Sequence, residues 1–140
     1  MPMQLSPSVL VAEDDARIRD LIRARLQMSG YDTHTARDGA EALQRIRDLK
    51  PAAVILDINM PILDGFGVLG ALQANRLMPK PAVLVLTARH AAEDVKRAIS
   101  LGAKDYLAKP FSETQLLARV ARLLRRPPPP PPRDPDVVML

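Results

Sequence analysis

The sequence predicts an α/β fold, a three-layer sandwich of five parallel strands covered by helices on both faces. Three observations predict it. Short apolar runs alternate five times with segments of helical period, and such alternation implies parallel pairing through right-handed crossovers. Runs such as Val9-Leu10-Val11-Ala12 and Ala53-Val54-Ile55-Leu56 are apolar at every position, as strands buried on both faces require. The chain has 140 residues, 47% of them hydrophobic, which is enough for one domain with a proper core.

The elements follow in order. Val9–Ala12 is a buried strand ending in Glu13-Asp14-Asp15. Ile18, Leu21, Ile22 and Leu26 recur at helical spacing, and Gly30 is a natural stop. Tyr31–Ala36 is a more polar strand, expected near an edge. Asp38–Lys50 is a helix with Leu43, Ile46 and Leu49 facing inward and Pro51 beyond its end. Ala53–Leu56 is a strand that delivers Asp57. A turn over Pro61–Gly65 leads to a third helix marked by Phe66, Leu69 and Leu72. Ala82–Leu86 is a strand ending at Thr87, Ala91–Leu101 a helix closed by Gly102, and Tyr106–Ala108 a short strand before Lys109-Pro110. The last helix opens at Ser112, with Gln115 completing a capping box. Its apolar face is Leu116, Leu117, Val120, Leu123 and Leu124.

Composition excludes several function classes. There is no cysteine, so disulfides, thiolate metal sites and thiol catalysis are ruled out. His34 and His90 lack zinc-motif spacing. Aromatic residues are 3% of the chain, too few for base-stacking surfaces. No apolar run approaches the ~20 residues that span a bilayer. Met1–Ser8 has neither the basic nor the hydrophobic region of a secretory signal, so a cytoplasmic protein without membrane partners is expected. The net charge of +4 is uneven: residues 1–118 hold 15 Lys/Arg against 14 Asp/Glu, and residues 119–140 hold five Arg against two Asp. The basic character belongs to the end of the chain and is not a nucleic-acid signal. Pro127–Pro132 cannot extend a helix or join a central strand. They predict a polyproline II rod of roughly 19 Å at ~3.1 Å per residue. The division is an N-terminal arm at 1–7, a domain at 8–126, a proline-rich linker at 127–136, and at 137–140 the start of a further domain or a disordered tail.

Ligands of parallel α/β sheets bind beyond the carboxyl ends of the strands. Those ends carry Glu13 and Asp14, Asp57, Thr87 and Lys109. Three carboxylates without cysteine or histidine make an all-oxygen site suited to Mg2+, with Mn2+ as a substitute. A carboxylate beside a bound cation can attack a phosphoryl donor to give an aspartyl phosphate. Lys109 supplies a second positive contact and Thr87 a hydrogen bond. Other polar residues have plainer readings: Asp15 as a helix cap, Asp64 and Gly65 as turn and cap residues, and the arginines at 119–126 as a solvated helix end.

Val11-Ala12-Glu13-Asp14-Asp15, Leu56-Asp57-Ile58-Asn59-Met60-Pro61 with Asp64-Gly65, Leu86-Thr87-Ala88 and Gly102–Phe111 together resemble the CheY-like receiver domain of two-component response regulators. The resemblance covers about residues 8–126. It implies a flavodoxin-like (βα)5 fold with strand order 2-1-3-4-5. It implies that Asp57 accepts the phosphoryl group, with Asp14, Glu13, Asp57 and the Asn59 carbonyl around Mg2+. Thr87 and Tyr106 correspond to the switch pair, Lys109 to the phosphate-pairing lysine before a cis Pro110, and Asn59 and Arg89 to positions that tune autodephosphorylation. The phosphodonor would be a histidine kinase or phosphotransfer protein. The domain would be a signalling switch whose only chemistry is phosphorylation and dephosphorylation of itself.

Two outputs follow. The end of the domain is similar to OmpR-like regulators, in which a winged-helix DNA-binding domain follows. DNA would then be bound only by a domain beyond Leu140, with a phosphorylation-dependent homodimer through helix 4, strand 5 and helix 5. Arg97, Asp105 and Arg119 suit that dimer, whereas Gln115 and Lys104 stand where those regulators usually carry acids. The alternative is a stand-alone regulator acting by phosphorylation-dependent protein–protein interaction. A haloacid-dehalogenase-like phosphatase is disfavoured because Asp57-Ile58-Asn59 lacks that family's second acid.

Overall fold

The structure is a computed structural model that describes residues 7–75, 80–88 and 91–124. Its elements alternate without exception: β1 (Ser8–Ala12), α1 (Ala16–Met28), β2 (Asp32–Ala36), α2 (Gly39–Leu49), β3 (Ala53–Asp57), α3 (Gly65–Asn75), β4 (Ala82–Thr87), α4 (Ala92–Ser100), β5 (Asp105–Ala108) and α5 (Glu113–Leu123). The five strands pair in parallel in the order β2-β1-β3-β4-β5. This is the expected doubly wound sheet, with the polar β2 at one edge. The expectations for Arg89, His90, Arg125, Arg126, Pro127–Pro132, Val137–Leu140 and residues 1–6 lie outside the described residues. Among the described residues no helix is long and apolar enough to cross a membrane.

The apolar runs are explained by two cores. Leu10, Ala12, Val54, Leu56, Val83 and Val85 pack with residues of α2, α3 and α4 on one face. Val9, Val11, Ala53, Ile55, Leu84 and Leu86 pack with α1 and α5 on the other. Successive strand residues point to opposite faces, so the central strands are apolar without alternation up to their ends. Two apolar residues of the helical patterns do not face the sheet. Leu21 is 56% exposed, because it lies ~100° around the helix from Ile22, which faces the sheet with Leu26. Leu49 is only half-buried, and Ala42 sits under the sheet face with Ile46 instead.

Helix boundaries follow capping chemistry. Asp15 accepts hydrogen bonds from the amides of Arg17 and Ile18 and caps α1. Asp38 caps α2 through the Glu41 amide, and Lys50 closes it in the left-handed conformation, so both lie just outside the helix expected to include them. Ser112 and Gln115 form the expected reciprocal capping box of α5.

β5 is the other edge strand, and Asp105 fastens it to α5. Its carboxylate accepts from Arg119 Nη1 at 2.9 Å and from Arg122. Burial alone would push the Asp105 pKa up, but Arg122, the Tyr106 amide and the Arg119 charge outweigh it and hold the value below the usual range. A carboxylate with a depressed folded pKa adds stability that is present above its unfolded pKa and lost as pH falls through the folded one. Asp105→Asn is therefore expected to lower stability at pH 7 by about 0.5–1 kcal/mol, the solvent-screened value for a partly exposed pair. In urea melts, that difference should shrink as pH falls below the ordinary aspartate value of 3.8 and through the depressed folded one.

Candidate functional site

The order of the strands reverses between β1 and β3, and ligands bind at such a point beyond the strand ends. Here β1 runs into Glu13 and Asp14, and β3 ends on Asp57. Glu13 is fully buried, Asp57 is 4% exposed and Asp14 is exposed. One carboxylate oxygen from each lies within 4.8 Å of the others. The β1–α1 turn is held by Arg19, whose guanidinium donates to the Glu13 carbonyl at 3.0 Å. Asp57 is oriented from its own chain, since the Asn59 amide donates to Asp57 Oδ1 at 3.3 Å.

Lys109 bridges the acids. Its ammonium lies 2.7 Å from Glu13 Oε1 and 3.2 Å from Asp57 Oδ2. The Lys109 amide donates to the Thr87 carbonyl at 2.7 Å, joining the ends of β4 and β5, and the Lys109–Pro110 peptide is cis. Burial would lower the Lys109 pKa, but the Glu13 hydrogen bond and the two acidic charges raise it. Glu13 moves furthest: burial, then the facing Asp57 carboxyl, pushes it up to about 8 against the pull of Lys109.

Thr87 is 3% exposed at the end of β4, and its hydroxyl donates to the Ala88 carbonyl at 3.4 Å. Tyr106 is 42% exposed, with the Arg119 guanidinium 6.0 Å from its ring centroid. Asn59 is exposed beside Asp57. Arg97, on α4, stacks 4.1 Å from the Phe66 ring, while Asp105 and Arg119 pair within the chain. The site thus gathers Glu13, Asp14, Asp57, Asn59 and Lys109. Tyr106, Arg97, Asp105 and Arg119 belong to the β5 edge and its flanking helices. The part played by Arg19 is not legible in the sequence, since an arginine in the first turn of a helix carries no motif.

The donors fit a hard divalent cation. All are oxygens, and Glu13 Oε2 is, among the described residues, a buried side-chain oxygen with no hydrogen-bond partner. An orphaned buried acceptor costs on the order of 1–3 kcal/mol unless something satisfies it, and a cation between the three carboxylates would do so.

Residues 9–121 match the family model of the response regulator receiver domain. The chain belongs to this family. It is a signalling domain rather than a conventional enzyme, and receivers bind Mg2+ at an acidic pocket of the kind formed by Glu13, Asp14 and Asp57. The transcriptional regulatory protein PrrA of Mycobacterium leprae is 46% identical over 122 residues, covering 86% of this chain and 51% of that protein. The response regulator MprA of Mycobacterium ulcerans is 41% identical over 136 residues, covering 97% of this chain and 58% of that protein. The chain spans a little over half the length of these curated relatives. Among solved structures, a response regulator from Chloroflexus aurantiacus superimposes with a TM-score of 0.82 at 32% identity, covering 87% of this receiver and all of that chain. The chemotaxis protein CheY4 of Vibrio cholerae gives 0.80 at 32% identity, covering 86% of this receiver and all of that chain.

Proposed function

We propose that this receiver takes a phosphoryl group onto Asp57 from a histidine kinase or phosphotransfer protein in a Mg2+-dependent reaction. The reading rests above all on one observation: the Lys109 ammonium sits against both Asp57 and the buried Glu13 within the carboxylate cluster. Asp57 attacks phosphorus, a carboxylate O–P bond forms, and the donor's P–N bond breaks with its electron pair returning to the histidine nitrogen. Glu13, Asp14, Asp57 and the Asn59 carbonyl would hold the ion. When bound, it supplies positive charge against the donor and acceptor oxygens. Lys109 is placed to leave Asp57 and follow the negative charge onto the phosphoryl group. Thr87, one residue beyond the strand position paired with Asp57, turns its hydroxyl to the same group, and Tyr106 moves inward behind it. Asn59 and Arg89 tune hydrolysis of the acyl phosphate.

The output is proposed to be transcription, through a DNA-binding domain beyond Leu140. Support comes from the relatives: the chain aligns with about half of a protein named as a transcriptional regulator. On this reading residues 8–126 are the receiver, 127–136 the linker and 137–140 the start of the effector, all in the cytoplasm. Dimerisation on phosphorylation would use α4, β5 and α5. It would require Arg97 and Arg119 to exchange contacts they now make within the chain. The test of the chemistry is intact mass after incubation with Mg2+ and acetyl phosphate. One phosphoryl group per chain is expected with the ion and none in chelator.

A further inference from the structure

We propose that Gly39, at the start of α2, is a positioning residue for the Asp57 site, acting through Leu63 and the 58–65 loop. This role rests on the proposed metal-dependent reading of that site. The loop leaves β3 directly after Asp57. It is closed by the Gly65 amide donating to the Ile58 carbonyl at 2.8 Å, and it carries the Asn59 amide that orients Asp57. At its tip the Leu63 amide donates to the Pro61 carbonyl at 2.7 Å, a three-residue turn around Ile62. Ile62 has φ 70° and is 81% exposed. A β-branched residue at positive φ in so tight a turn is strained. Such strain persists only where the surroundings over-determine the backbone.

What over-determines it is a notch without side chains. A Cβ at Gly39 would lie 2.0 Å from the Leu63 carbonyl oxygen and 2.7 Å from its carbonyl carbon. A Cβ at Gly67 would lie 2.3 Å from Leu63 Cδ1, and one at Gly65 would lie 2.7 Å from the Asp57 carbonyl oxygen. Leu63 is thus seated by its backbone on Gly39 and by its side chain on Gly67. Gly39 has no positive φ to justify glycine, and glycine is a poor helix former. Its place is explained by the close approach of Leu63. Gly70 is the contrast, a helical glycine at which an added Cβ would meet nothing within 4 Å.

The consequence is a path from α2 to the site. Displacing Leu63 displaces the loop, and with it the Asn59 carbonyl and amide. Sub-ångström to ångström misplacement of such groups is costly.

The test measures Mn2+ affinity by the electron spin resonance of the free ion, alongside thermal melting. Gly39→Ala is expected to weaken Mn2+ binding by about fivefold or more, while Gly70→Ala keeps wild-type affinity. Gly67→Ala is expected to weaken binding too, and Leu63→Ala in the same chain to restore it by removing the clashing Cδ1. Leu63→Ala should not restore Gly39→Ala, because there the obstacle is the Leu63 carbonyl. A folded Gly39→Ala that melts lower but binds Mn2+ as wild type would overturn the inference and leave Gly39 a packing residue. If Gly39→Ala does not fold, Gly67→Ala decides: weakened binding rescued by Leu63→Ala supports the path, and unchanged binding overturns it. A wild-type chain that bound no Mn2+ would remove the metal-site reading and this inference with it, whereas wild-type binding with an unaffected Gly39→Ala removes the inference alone.

Discussion

Lys109→Met is expected to destabilise the metal-free receiver and at the same time to tighten its hold on Mg2+. The lysine is the cation that the structure places between Glu13 and Asp57, at 2.7 and 3.2 Å. Without it, a fully buried and a 4%-exposed carboxylate face each other alone. Two like charges 4 Å apart at an effective dielectric of 20 repel by about 4 kcal/mol. Glu13 can relieve part of that by holding a proton, so the net loss should be about 1–3 kcal/mol at pH 8 to 9 and smaller near pH 6. Millimolar Mg2+ should restore most of the loss, because a bound cation takes over the neutralisation, and the affinity should rise because a competing cation has gone. The phosphorylation rate moves the other way. Loss of one preorganised positive contact to the transferring group should lower it by about 10²–10³-fold. Urea melts with and without Mg2+, paired with rates from acetyl phosphate, separate the two effects. A Lys109→Met chain that is as stable as wild type without metal at pH 8.5 would show that the bridge does not offset the buried charge.

Glu13→Gln should raise stability while removing metal affinity. The wild-type carboxyl is pushed up to about 8 by burial and by Asp57. An acid whose folded pKa exceeds its unfolded value favours the fold in its neutral form. That contribution is complete below the unfolded pKa, near 4.5, and is lost as pH rises through the folded value near 8. Glutamine keeps the shape, removes the charge and still accepts from Lys109. Metal-free Glu13→Gln should therefore gain about 1–2 kcal/mol at pH 8 and lose the downward slope of stability between pH 5 and 8. Its Mg2+ affinity should fall on the order of tenfold or more, the equivalent of about 1.4 kcal/mol. A site that is destabilising until its ion arrives is one kept for binding. A variant with unchanged affinity would show that the cation does not use Glu13.

The layers are legible in the sequence because each central strand feeds two cores, so its residues are apolar without alternation. The helix caps at Asp15 and Ser112 are legible for a similar reason: capping is local, and the donor sits two or three residues away. Strand ends are legible as the place where chemistry gathers. Long-range contact geometry is not. Nothing local says that Glu13 is fully buried or that Lys109, 96 residues later, lies closer to it than to Asp57. Which residues of α1 face the sheet is not legible at Leu21, because an apolar residue next to the buried stripe looks the same in sequence as one inside it. Gly39 reads as an ordinary helix start until the Leu63 carbonyl is found against it.

The central claim, that Asp57 is the acceptor, is tested most directly by locating the phosphoryl group. The receiver is incubated with Mg2+ and acetyl phosphate, reduced with borohydride, which converts an aspartyl phosphate to homoserine, and mapped by peptide mass. Homoserine is predicted at position 57 alone, and none in Asp57→Asn. Homoserine at another aspartate, a reduced glutamate, or a phosphoryl gain that persists in Asp57→Asn would contradict the claim.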